Sequence, residues 1–155
     1  MEKLIFKHME TVRGLTLKAI SELTEEEADR IPEGFNNNIR WNLGHVTFIQ
    51  ERVTLQLLGE QMELPKLYKL LFAPGTSPKN WQFPAPSLKE LEKVMSEQTS
   101  RIQNSLSGRL DEKLDSAFTN GIGLTFETIG ECLLFTLYHE AYHMHAINQI
   151  RRTFK

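Results

Sequence analysis

The chain is poor in cysteine, in long apolar runs and in net charge, and five of its six prolines are confined to residues 61–87. A lone Cys132 cannot close an internal disulfide, which points to a reducing, cytoplasmic setting. It sits in an apolar helical stretch, where a small core residue is the simpler reading than a reactive thiol. No apolar segment approaches the roughly 18 residues a membrane span requires. The first residues, "MEKLIFKHME", are charged and amphipathic from the start, unlike a signal peptide. A net charge of −2 provides neither a nucleic-acid footprint nor attraction to a membrane surface. What is present is 155 residues, 40% apolar and 25% charged, enough to bury the core of one domain spanning residues 1–155.

Alternation of period two is also scarce, and spacings of three and four dominate. Leu4, Ile5, Met9, Val12, Leu15, Ala19 and Leu23 form one apolar stripe in a helix over 2–23. Thr24 and Glu27 are spaced as a capping box for a short turn of helix that Pro32 closes. A second long helix over 38–60 carries Ile39, Leu43, Val46, Ile49, Val53 and Leu57, and Gly59 marks its end. Residues 61–87 read as a long irregular connection whose Leu67, Tyr68, Leu70, Leu71, Phe72, Trp81 and Phe83 argue for packing rather than disorder. Ser87 and Glu90 open a third helix running to about Leu106. "FTNGIGL" is a glycine-rich turn with room for a little extended structure. A last helix starts near Thr125 and continues almost to the C-terminus. Four long helices and no alternating strands predict an all-α four-helix bundle.

The last helix holds three of the five histidines within seven positions, in "LYHEAYHMHAINQIRR". At 100° per residue His139 and His143 stand about 40° apart on one face, so both imidazoles can reach one ion. Cys132, Thr136, Ala146 and Ile150 share that face, which should look inward, and a buried imidazole needs a polar partner or a metal. His145 is about 200° from His143 and points away. His45, in "RWNLGHV" on the second long helix, also faces inward. It completes a candidate N₃ set of His45, His139 and His143, open to water or substrate and suited to Zn²⁺, Ni²⁺, Fe²⁺ or Cu²⁺. Without a metal, the same histidines would be satisfied core residues.

HEAYH also satisfies the H-E-x-x-H pattern of zinc peptidases. Those enzymes take a third ligand C-terminal to the motif, six residues on or further. Six past His143 stands Gln149, and after His145 the chain offers only "AINQIRRTFK", without His, Asp or Glu. The peptidase reading fails on ligand supply.

The order of Trp-x-x-Gly-His around His45, the proline-rich middle, and H-x-x-x-H from His139 to His143 running into Arg151 and Arg152 resembles the DinB/YfiT-like superfamily over essentially the whole chain. That resemblance implies an up-down-down-up bundle, often dimeric, with His45, His139 and His143 as ligands of one divalent transition metal. Many members continue as H-x-G-Q-I. Here His145 and Ala146 replace the Gly and Gln, so whatever that Gln does in relatives is absent. Relatives of known activity include bacillithiol-dependent S-transferases and mycothiol-dependent isomerases.

Three functions therefore compete. In a thiol-dependent S-transferase, a zinc or nickel ion would bind a low-molecular-weight thiol cosubstrate as thiolate. In a hydrolase, metal-bound water would attack, with Glu140 or a pocket-facing His8 handling the proton. The third is a non-catalytic bundle that binds metal or a small ligand. The expected partners are a small-molecule substrate and a second copy of the chain, the latter from the resemblance and from Leu4, Ile5, Phe6, Ile147 and Ile150. Nucleic acid and membrane are not expected.

Overall fold

Four short sequence patterns start four of the helices. Thr24 with Glu27, Ser87 with Glu90 and Thr128 with Glu131 each close a capping box, opening α2 (Glu25–Asp29), α5 (Leu88–Leu106) and α6 (Ile129–Arg152). The Asn38 side chain accepts from the Trp41 N–H at 2.8 Å and opens α3 (Ile39–Thr54). α1 spans Glu2–Ile20 and has no side-chain cap. The computed structural model describes residues 1–154, and over these the chain is mostly helical.

The long helices α1, α3, α5 and α6 close a ring of contacts: α6 packs on α1 and α3, and α5 packs on the same two. α3 is the innermost element, and Arg52 is its one residue that is not buried. No helix among the described residues is long and apolar enough to cross a membrane.

Three local expectations need correction. In α1 the buried residues are Phe6, Met9, Arg13, Thr16 and Ile20, while Leu4 and Leu15 are half exposed. The apolar pattern misplaces this face because two of its inward positions are polar, Arg13 and Thr16. The 61–87 connection contains a helix, α4 (Leu67–Phe72), which packs on α3 and buries Tyr68, Leu71 and Phe72. Six residues give too few turns for a 3.6-residue period to register.

The third correction concerns residues 113–128. Two strands, β1 (Lys113–Thr119) and β2 (Thr125–Thr128), pair antiparallel across the Asn120–Gly123 turn, with a register slip between Lys113 and Phe118. α6 accordingly starts at Ile129 rather than near Thr125. Phe118 and Phe126 stack on each other and both pack on Phe135 of α6, which fixes the hairpin against the helices.

Candidate metal centre

His45 comes from α3, and His139 and His143 come from one face of α6. One ring nitrogen from each lies within 4.8 Å of the other two, the only such set of three among the described residues. Two imidazoles on one zinc ion stand roughly 3–4 Å apart, so the cluster is close to ligand spacing. The second nitrogen of two rings is already engaged. His45 Nδ1 donates to the Phe72 carbonyl at 2.7 Å, and a carbonyl can only accept, so the Nε2 lone pair is free. His143 Nδ1 lies 2.7 Å from Asn42 Oδ1. The Asn42 amide nitrogen donates to the Asn38 carbonyl at 2.7 Å, which identifies Oδ1 as the acceptor and leaves His143 Nε2 free as well. Orientation of metal-binding imidazoles by a carbonyl or amide oxygen is the usual supporting arrangement at such sites.

The "WNLGH" segment builds this geometry. Trp41 stacks on the His45 ring at 4.4 Å and 13°, and its indole N–H donates to Thr76 Oγ1 at 2.8 Å. A Cβ on Gly44 would stand 2.4 Å from the Phe72 ring. Only glycine lets α4 come close enough for the Phe72 carbonyl to reach His45.

Burial keeps all three rings neutral. It pushes His45 below the ordinary histidine value, partly opposed by the Phe72 carbonyl. Burial and the neighbouring His45 push His139 down to about 4. Burial, then His139 and His45, push His143 down to about 3. Neutral imidazoles with free Nε2 lone pairs are the form that binds a divalent transition ion, so the residues present fit one.

The cluster opens into a cleft of about 620 Å³. Its walls are mainly apolar: Ile49 and Val53 of α3, Phe135, Tyr138 and Tyr142 of α6, and Phe118 and Ile122 of the hairpin. Among the described residues, Arg52 is the one formally charged residue on the wall, and no cysteine, serine, threonine, lysine or carboxylate lines the cleft.

Glu140 and His8 are not brought to this cleft. Glu140 is buried in the core between the helices, where Arg13 Nε and Nη2 donate to its two carboxylate oxygens at 2.9 and 3.0 Å. His8 is exposed and lines a separate apolar depression between α1 and α6. Both expectations placed a proton-handling group in the cleft beside the histidines; the Arg13 ion pair holds Glu140 in the core instead, and His8 lies on the surface of α1. His145 is exposed and also lies in another cleft, with its Nε2 3.1 Å from the Gln149 amide nitrogen. Cys132 is fully buried.

Sequence reasoning missed Asn42 and the hairpin wall, and it named Trp41 and Gly44 only as parts of the Trp-x-x-Gly-His pattern, without their roles. Asn42 carried a usable signal, since it precedes His45 by three positions and so shares its helix face.

A profile of the DinB superfamily matches residues 8–147. The crystal structure of a conserved protein from Enterococcus faecalis superposes with a TM-score of 0.68 at 12% identity, covering 98% of this chain and 95% of that one, which is a likeness of fold. No curated protein matches the sequence.

Proposed function

The chain belongs to the DinB superfamily, and on that premise we propose that it is a metal-dependent S-transferase joining a low-molecular-weight thiol to an electrophilic small molecule. His45, His139 and His143 hold one divalent transition ion, zinc or nickel. When bound, such an ion supplies Lewis acidity that favours the thiolate form of a coordinated thiol.

The observation that carries this reading is the composition of the cleft wall. Among the described residues it offers three metal-competent imidazoles and no side-chain thiol, aliphatic hydroxyl, amine or carboxylate, so the attacking group arrives from solution. A hydrolase using metal-bound water is the alternative, but it commonly recruits a carboxylate as general base, and Glu140 is committed to Arg13. A thiol needs no such base. The apolar walls exclude water from the electrophile, and Tyr138 and Tyr142 offer hydroxyl donors to it.

In this reading the four long helices form an up-down-down-up bundle, residues 1–155 act as one domain, and two copies pair in the cytoplasm. Phe6, Ile147 and Ile150 are buried in the core and cannot supply the dimer face. Leu4, Leu134 and Tyr138, which flank the α1–α6 depression, remain exposed to supply it.

The test is elemental analysis of untagged protein, followed by a thiol-transfer screen on loaded and chelated samples. We expect one metal per chain and conjugation only in the loaded protein. Activity that survives complete metal removal, or hydrolysis without thiol consumption, would overturn the transferase reading.

A further inference from the structure

The apolar cleft does not end at Arg52. Arg52 and Pro74 also border a second groove of about 680 Å³, formed by Phe48 of α3, Gln56 in the turn just after it, and the chain from Met62 to Pro74. That groove carries Lys66 and Lys69, both exposed. Among the described residues no carboxylate lines either space, and the two adjoin at Arg52 and Pro74, so three cations stand beside the histidine cleft in a protein whose net charge is −2.

Arg13, Arg40, Arg101 and Arg109 each hold a carboxylate, whereas Arg52, Lys66 and Lys69 hold none among the described residues. The nearby carboxylates are occupied elsewhere: Glu63 faces Arg101, and Glu51 binds Arg101 and accepts from the Glu63 and Leu64 N–H groups. Arg52 follows His45 by seven residues, two turns along the same helix face, or about 10 Å. An apolar channel with unpartnered cations at one end suits a ligand that is apolar in the middle and anionic at its far end.

We infer that this site takes an elongated small molecule whose anionic end, a carboxylate or phosphate group, is held by Arg52, about 10 Å along α3 from His45, together with Lys66 and Lys69 of the adjoining groove. The inference rests on reading the histidine cluster as the reactive end. The anion belongs either to the thiol or to the electrophile.

The test measures binding rather than turnover, on metal-free and on zinc-loaded protein, with octyl phosphate against octanol as probes. In metal-free wild type, octyl phosphate should bind roughly tenfold more tightly than octanol, and the advantage should shrink as salt rises. Arg52→Gln should remove most of that advantage, Lys66→Gln with Lys69→Gln should reduce it further, and neither should change octanol binding. All three side chains are exposed, so the variants should fold. Displacement of octyl phosphate by glutathione but not by its diethyl ester would support the inference and place the anion on the thiol. Displacement by neither would support it and place the anion on the electrophile. Equal affinity for the two probes, or full retention of the advantage in Arg52→Gln, would overturn it. Metal content is measured separately, so a protein that binds no metal but keeps the Arg52-dependent contrast would sink the enzymatic reading alone.

Discussion

At the scale of single residues, the histidines and their supports make different demands. His139→Ala should lower metal affinity by orders of magnitude, and full retention of metal would sink the ligand assignment. Asn42→Ala leaves the three ligands in place but removes the acceptor that orients His143, along with the amide bond to the Asn38 carbonyl, so a loss of about 10–100-fold is expected in chelator competition. The desolvated rings should stay neutral well below the ordinary histidine range. In metal-free protein the His139 and His143 ring signals should therefore not titrate by NMR between pH 8 and 5, because protons bind only as the pH falls toward 4 and 3. Burial, with Glu131 adding to it, pushes the Cys132 thiol up to about 11, so at pH 8 little thiolate exists. Native protein should resist a thiol reagent at that pH and react on unfolding. The three histidines were legible because helical angles put His139 and His143 on one face, the residues around His45 turned it inward, and the family resemblance joined the three. Asn42 as an acceptor and Glu140 as the counter-ion of Arg13 were not, since the first depends on an amide orientation and the second on a contact between residues 127 positions apart.

At the scale of elements, the clasp between α3 and α4 carries the geometry of His45. Gly44→Ala would drive a methyl into the Phe72 ring, forcing α4 outward and breaking the bond from His45 to the Phe72 carbonyl. Overpacking of this kind costs about 1–3 kcal/mol, and metal affinity should fall with stability. Adding Phe72→Leu makes room for the methyl and should recover part of both. If Gly44→Ala alone matches wild type in denaturation midpoint and metal content, the clasp does not position the site. The starts of α2, α3 and α5 were legible through their capping residues, whereas the Thr128–Glu131 box that opens α6 was overlooked. α4 and the hairpin were hidden because each is short and takes its stability from packing, α4 through Phe72 and the hairpin through Phe118 and Phe126 on Phe135.

At the scale of the whole molecule, one polar network joins all four long helices. The Arg13 guanidinium of α1 donates to Glu140 of α6, Gln50 of α3, and Gln98 and the Met95 carbonyl of α5. Gln98 continues it to the Thr47 carbonyl and Glu51, and Glu51 also binds Arg101. Arg13 and Glu140 are 3% and 1% exposed, so neither charge can turn to water if its partner is lost. Arg13→Ala should therefore destabilise the protein by about 3–5 kcal/mol, chiefly by leaving the Glu140 carboxylate buried without its cation. Replacing the pair together, Arg13→Met with Glu140→Leu, removes both desolvation costs and should recover much of that loss. Gln50 and Gln98 then lose a donor, which prevents full recovery. The same double variant separates the two roles open to the glutamate of HEAYH. If Glu140 only balances Arg13, the refolded double variant should bind metal at wild-type stoichiometry through His45, His139 and His143. A double variant that regains stability but no metal would show that Glu140 acts on the histidine cluster itself.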